Sequence, residues 1–505
     1  MQRSKILTQR QESELNRAII QYLEPICSEN ESNQTLINQL SNLLLNENEN
    51  KLIKNNEIID NYLEKKWSSV IRLQKKILDL ENELTNIRNI IDIDNDENKI
   101  KNTSILGKDR INWLPFSSSQ NFETSSIINS VKLHPTLPLI YAGCIDGSIQ
   151  IYNFVSNENS LPEKIIKAHT RSCTKLAISY NQIDINKNDQ PQYILASCSS
   201  DLSIKIYDSK TFQHLRTLKG HEHTISSIKF SKNSNHLYSV SRDKTVKIWD
   251  IIEGICIKSF IGHSDWVRDL DICNSKEYDE FVLTCSNDQS GRLTHAQSGI
   301  GIAMMIGHSH VIETIKFLPL TSNIIIDKYL KENQDFFPSI PIVILDNEIY
   351  NEIGYKYCIT GSRDNSIKIW LIPPPSIIQG RSPMPSKYNQ AQAWLITTLT
   401  GHQSWVKCIE IHPNGRFIFS GSDDKTIKIW DLNDLNNSGN IGVIRSLSNN
   451  EGFLNDLDFA RLTKSKNSSV NDKILTHEEI LKDIEIRIRC MLVSGGTDNI
   501  IRLWK

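Results

Sequence analysis

Histidine and aspartate recur in pairs along this chain of 505 residues, and an imidazole beside a carboxylate is the working part of many proton-transfer sites. His221 stands 22 residues before Asp243 and His402 stands 22 residues before Asp424; His169 with Asp201, His263 with Asp288 and His308 with Asp364 complete the series. Each Asp falls in a tight turn between two apolar runs, within reach of the His. A charge-assisted hydrogen bond there fixes the turn and satisfies a carboxylate that would be costly to bury alone. The five pairs are therefore read as structural rather than catalytic. No GxSxG elbow, P-loop, GxGxxG or HExxH occurs, so the sequence gives no reason to expect an enzyme. The ten cysteines are scattered singly from Cys27 to Cys490 with no CxxC, and are read as reduced and buried, with no metal site or cofactor.

The elements that position these pairs are repeats. An apolar run followed by S-x-D-x-[TS]-[IV]-K-I-W appears as SRDKTVKIWD (241–250), SRDNSIKIWL (362–371) and SDDKTIKIWD (422–431), with weaker copies at 144–153, 199–208 and 496–505. A seventh copy keeps Asp288 but has Gly291 in its strand and Thr294 where the aromatic belongs. Gly-His or Ala-His dipeptides lie upstream at 168/169, 220/221, 262/263, 307/308 and 401/402. These elements resemble the GH and WD signatures of WD-repeat propellers from about residue 118 to 505. The fold expected is an all-β, seven-bladed WD-repeat propeller, closed by a strand near 119–125 pairing with the last blade.

Insertions swell the propeller near 181–192, 319–354, 373–392 and 461–488; they are polar, Asn- or Pro-rich and low in periodicity. Within a blade of strands a to d, each falls between a and b or between c and d, which puts them on one face. The opposite face keeps short loops and reads as the open binding surface. Its turns carry Arg242, Arg363 and Lys425, and its strand entries add Trp266 and Arg268 in HSDWVRD and Trp405 and Lys407 in HQSWVKC. Arginine and aromatic residues together have the composition of interface hot spots. The whole chain is nearly neutral, with Lys+Arg 57 against Asp+Glu 59, so this local cluster points to an acidic protein partner rather than to nucleic acid. As exposed charges, Arg268 and Arg363 are expected to contribute little to stability.

The first ninety residues follow a helical period. Thr8 and Gln11 form a capping box ahead of Leu15, Ala18, Ile19, Tyr22 and Leu23, and Leu36–Leu45 is a second helical segment. Leu63, Trp67, Val70, Leu73, Ile77, Leu80, Leu84, Ile87 and Ile91 then follow a 3–4 spacing that makes a heptad seam, and a two-stranded coiled coil follows from it. The chain thus divides into a helical motif at 1–45, a coiled coil at 58–91, a polar linker at 92–117 and the propeller at 118–505. Neither a secretory signal nor a run of about 18 apolar residues occurs, so no membrane insertion is expected.

ILTQRQESELNRAIIQYL resembles the LisH dimerisation motif, and YLEKKWSSVIRLQKKILDLENEL resembles the coiled coil of the lissencephaly-type nuclear-distribution family of cytoplasmic dynein regulators. The resemblance implies a homodimer, formed through Leu15, Ile19, Tyr22, Leu23, Leu63, Trp67, Val70, Ile77 and Leu84. It implies binding of the dynein heavy chain motor ring by the short-loop face, through Arg242, Arg268, Arg363, Trp405 and Lys425. The role it implies is promotion of dynein activation, minus-end transport and nuclear or spindle positioning, together with a NudE-type coiled-coil protein, in the cytoplasm at microtubule plus ends and at the centrosome or spindle pole. Family members also serve as the noncatalytic subunit of an intracellular platelet-activating-factor acetylhydrolase. The degenerate fourth blade and the inserts in blades 2, 5 and 7 depart from the family's compact propeller and would alter partners on the long-loop face. The alternative is another LisH-WD scaffold, a corepressor or ubiquitin-ligase subunit, which would bring a nuclear signal or an added helical segment after LisH.

Overall fold

The computed structural model describes residues 114–115, 117–155, 161–185, 191–274, 280–378, 381–388, 391–435, 441–460 and 491–504. The LisH and coiled-coil segments with all nine dimerisation residues, most of the linker, and the 461–488 insertion lie outside the described residues.

Strands form where β-branched, aromatic and small residues cluster. The second strands Leu139–Cys144, Ile194–Ser199, Tyr357–Ser362 and Phe417–Ser422 are buried along their whole length, as their continuous small-and-apolar character requires. The outermost strand of blade 3, Ile255–Ile261, is largely exposed. Among the described residues the sheets number seven, each of four antiparallel strands, and make a seven-bladed propeller. Innermost strands begin at Ile128, Cys173, Ile225, Val267, Ile312, Val406 and Leu454 for blades 1 to 7.

Blade 7 is completed from the other end of the propeller. Ser118–Glu123 pairs antiparallel with Ile500–Trp504, placing Phe122 opposite Ile501. Phe122 and Ile501 are both buried there, so the closure is an apolar seam as well as a hydrogen-bonded one.

The turn between the second and third strands is the same device seven times over. The residue after each turn Asp is left-handed: Gly147, Leu202, Lys244, Gln289, Asn365, Lys425 and Asn499, with φ from 61° to 82°. Glycine takes this conformation without strain, yet six blades use another residue. Hydrogen bonds from the Asp hold it: in blade 3 Asp243 Oδ1 accepts from the Thr245 amide at 2.9 Å and from its hydroxyl at 2.6 Å.

Two expectations need correcting. The 319–354 insertion is not aperiodic: α1 (Leu320–Glu332) buries Ile326, Tyr329 and Leu330, and with α2 (Ile342–Leu345) and α3 (Ile349–Ile353) it joins the core of blade 5. Its polar anchors are equally specific. Lys356 is 3% exposed at its side chain, pairs with Asp327 of α1 and donates to the Leu345 carbonyl at 2.7 Å, while Ser322 donates to the Gly415 carbonyl of blade 6 at 2.6 Å. The Asn- and Ile-rich composition masked this helical period. The cysteines also divide: Cys144, Cys173, Cys198, Cys273, Cys285, Cys358 and Cys408 are buried, but Cys256 lies on the outer strand of blade 3 and is exposed.

Candidate functional site

Each His-Asp pair is the start of a longer relay. In blade 3, His221 Nδ1 lies 2.7 Å from Asp243 and its Nε2 2.7 Å from Ser239 Oγ, which accepts from the Trp249 indole at 2.8 Å. With Nδ1–H donating to the carboxylate, Nε2 accepts from the hydroxyl, so both imidazole nitrogens, the hydroxyl and the indole N–H of the relay have partners. The same set recurs with His308, Asp364, Thr360 and Trp370, and with His402, Asp424, Ser420 and Trp430. His169 meets Asp201 at 2.9 Å, and His263 meets Asp288 at 3.0 Å in blade 4, where Thr294 replaces the indole donor. Burial works against ionised Asp243, Asp288, Asp364 and Asp424, but hydrogen bonds from their His and Ser or Thr neighbours outweigh it and hold all four below the usual carboxylate range. Fully occupied in this way, the pairs offer nothing to a substrate. Burial likewise pushes the Cys144 thiol up to about 12, and among the described residues no group of three or more His, Cys, Asp and Glu side chains is arranged to hold a metal ion.

The central channel is charged but self-neutralising. Lys132 pairs with Asp458 at 2.6 Å, Lys175 with Asp456 at 2.9 Å and Lys316 with Glu410 at 2.7 Å, while Lys229 contacts Asp271. Burial opposes ionisation of Asp456, but Lys175 and Lys132 bring it down to about 2. Apart from Asp456, these paired residues line a cavity of about 450 Å³, and the pairs tie non-adjacent stretches of sequence together.

The short-loop face differs, because its cations lie against aromatic rings as well as beside carboxylates. The Arg242 guanidinium lies 4.8 Å from the Trp266 ring centre, and that of Arg268 lies 5.7 Å from it. Arg268 Nε also donates to Asn287 Oδ1 at 2.7 Å. The Arg363 guanidinium stands 4.2 Å over the Trp405 ring, with the Lys407 ammonium 5.4 Å from the same ring and 3.9 Å from Asp423. Burial lowers Arg242 from its ordinary value, with Arg268 adding to the effect, and burial raises Asp423 despite Lys407.

Of the residues singled out from the sequence, Arg242, Trp266 and Arg268 form one aromatic-cation group, and Arg363, Trp405 and Lys407 another. Lys425 is exposed in the turn of blade 6, and among the described residues no side-chain ion pair or ring contact joins it to either. The link between the groups is a residue that sequence reasoning passed over. Glu313 contacts Arg363 Nε through one oxygen and lies 4.0 Å from Arg268 Nη1 through the other. Arg268, Glu313 and Lys407 occupy the same position, the second residue of the innermost strand in blades 4, 5 and 6. Aligning those strands by their repeat would have exposed Glu313 as the odd sign between two cations.

A second correction follows from burial. Arg268 and Arg363 are only 16% and 19% exposed at their side chains and Glu313 10%, so these are not freely solvated charges without influence on stability.

Residues 116–153 and 393–431 match the WD domain, G-beta repeat family, and residues 187–319 match the first beta-propeller of WD repeat-containing protein 75. The chain is 53% identical to nuclear distribution protein PAC1 of Candida dubliniensis over the full length of both, and 55% identical to that of Candida tropicalis, again over both full lengths. With the PAC1 protein of Saccharomyces cerevisiae it shares 31% identity over 97% of each chain.

Proposed function

The chain belongs to the nuclear distribution protein PAC1 family, a group of non-catalytic WD-propeller adaptors, and from that premise we propose that it regulates cytoplasmic dynein by binding the heavy chain motor domain with the short-loop face of its propeller. The observation that carries this reading is the continuous run of side chains from Arg242 and Trp266 through Arg268, Glu313 and Arg363 to Trp405. Partly buried guanidiniums held against rings are already ordered, so a partner's carboxylates meet them at a small entropic cost. Lys425 extends the same face as an exposed charge that steers encounter.

The adaptor acts as a homodimer through its LisH and coiled-coil segments. Two propellers on one tether raise each other's effective concentration at paired motor domains. In this role it promotes dynein activation and minus-end transport, positions nuclei and spindles, and works with a NudE-type protein on the cytoplasmic microtubule array. An acetylhydrolase subunit approaching the long-loop face would meet the helical insertion of blade 5, a surface that a compact propeller lacks.

A pull-down with the cognate dynein motor domain, wild type against the Arg363→Ala, Trp405→Ala double variant, tests the reading. Retention of wild type and loss of the variant is the expected result; equal retention moves the site off this face.

A further inference from the structure

We infer that Glu313 is a positioning residue for the partner-binding face, holding the Arg268 and Arg363 guanidiniums in their places beside Trp266 and Trp405. The inference rests on the reading of that face as the motor-binding surface, and gives the carboxylate between its two arginines a role there.

The geometry is specific. Glu313 begins no turn and caps no helix; it is the second residue of Ile312–Phe317, the innermost strand of blade 5, and its side chain is 10% exposed. One oxygen contacts Arg363 of its own blade, the other approaches Arg268 of blade 4 at 4.0 Å. Those two guanidiniums lie 4.2 Å from Trp405 and 5.7 Å from Trp266. A carboxylate bridging two guanidiniums fixes long side chains that would otherwise sample many rotamers and repel each other. Arg268 has a second tether in Asn287, whereas Arg363 has Glu313 as its side-chain hydrogen-bond acceptor.

The inference makes a prediction opposite in sign to bulk electrostatics. If the face recognised an acidic partner by net charge alone, removing a carboxylate would tighten binding. If Glu313 positions the arginines, removing its charge weakens binding, because both guanidiniums must then be ordered at the moment of association.

The experiment uses the full chain and the dynein motor domain. Glu313→Gln, Glu313→Asp, Arg363→Ala and the Glu313→Gln, Arg363→Ala pair are compared with wild type by motor affinity, melting temperature and near-ultraviolet circular dichroism in the indole region. The expected result is a Kd raised about five- to tenfold by Glu313→Gln, an intermediate loss for Glu313→Asp, and a smaller further loss from Glu313→Gln once Arg363 is absent, because Arg268 is then the one guanidinium of the two left for Glu313 to hold. The indole difference spectrum of Glu313→Gln should share features with that of Arg363→Ala, a readout that needs no partner. Tighter or unchanged binding by Glu313→Gln overturns the inference, as does a fully additive loss in the double variant. Failure of wild type to bind the motor overturns the partner assignment instead; an unaltered indole spectrum in Glu313→Gln then overturns the positioning role on its own.

Discussion

The Arg363 guanidinium lies 4.2 Å over the ring of Trp405, and that ring remains 38% exposed. A cation on one side of an indole leaves its other surface and edge to a partner, which is the geometry of an interface anchor. Trp405→Ala is expected to weaken motor binding by about 2 kcal/mol or more, roughly thirtyfold, as for a central hot-spot aromatic. The melting temperature should stay within a degree or two, since the ring supports Arg363 and Lys407 but packs little of the core. Titration calorimetry and a thermal melt measure the two quantities; a large drop in melting temperature with proportional loss of binding would make Trp405 a core residue instead.

Charge reversal at Arg268 and Arg363 tests whether these cations are also structural. Placing Glu at both would set three carboxylates together where Glu313 is already 10% exposed. Removing partners from a largely buried carboxylate costs about 3 kcal/mol, and like charges add to it. The double reversal should therefore abolish motor binding and lower the melting temperature by several degrees. Arg363→Lys, which keeps the charge but loses the planar contact with Trp405, should lose binding with a smaller thermal effect. Unchanged melting of the double reversal would restore the view that both are freely solvated.

Propeller closure predicts a cost far from any binding residue. Phe122 sits at 2% exposure opposite Ile501 in the seam that joins Ser118–Glu123 to the last strand. Phe122→Ala should destabilise the propeller by about 3–5 kcal/mol through the cavity it leaves, measured by denaturant unfolding. Deletion of residues 499–505 should be more damaging, because it removes Trp504 and its indole bond to Ser494 along with the partner strand. Wild-type stability after that deletion would contradict the seam.

The LisH and coiled-coil reading predicts that residues 1–91 associate without the propeller. Light scattering at tens of micromolar, roughly the range in which a short coiled coil assembles, should give twice the monomer mass, and Leu84→Asp combined with Ile77→Asp should return the monomer. A monomer from the unaltered segment would require another source for the dimer.

What could be read from the sequence was whatever repeats. His221 with Asp243 and His402 with Asp424 show the same interval, so the blades and turns that hold them were legible without coordinates. Strand alignment marks Glu313 as an odd sign at a repeated position, but its pairing was not legible, because its partner Arg363 lies 50 residues away across the long insertion and its contact with Arg268 crosses between blades. Nothing local in IETIKF marks an ion pair. The helix α1 was hidden differently: Ile326, Tyr329 and Leu330 do keep a helical spacing, but Asn and Lys around them read as a polar loop. Lys356, just past the insertion, looks like a solvated charge until the fold buries it on Asp327.

Acid should destabilise the propeller in two stages. His412 is 1% exposed, and burial lowers it from 6.5 to about 4, against a hydrogen bond involving Asn414 that acts the other way. A histidine whose folded value is depressed contributes stability above its unfolded value, near 6.5, that is lost as pH falls from there toward the folded value. Between pH 6.5 and 4 this one group gives up on the order of 3 kcal/mol at most, and His134, also lowered by burial to about 4, acts in the same direction. Below pH 4 the turn carboxylates take over. Asp243, Asp288, Asp364 and Asp424 are held low in the folded chain, so the stability they confer is present above the unfolded carboxylate value and disappears as pH falls through their folded values. Denaturant titrations at steps from pH 7.5 to 3.5 should show the midpoint falling first near pH 6. His412→Asn should flatten that first decline while leaving the steeper loss below pH 4 in place; a wild-type midpoint constant down to pH 4.5 would mean that these imidazoles gain their protons without disturbing the fold.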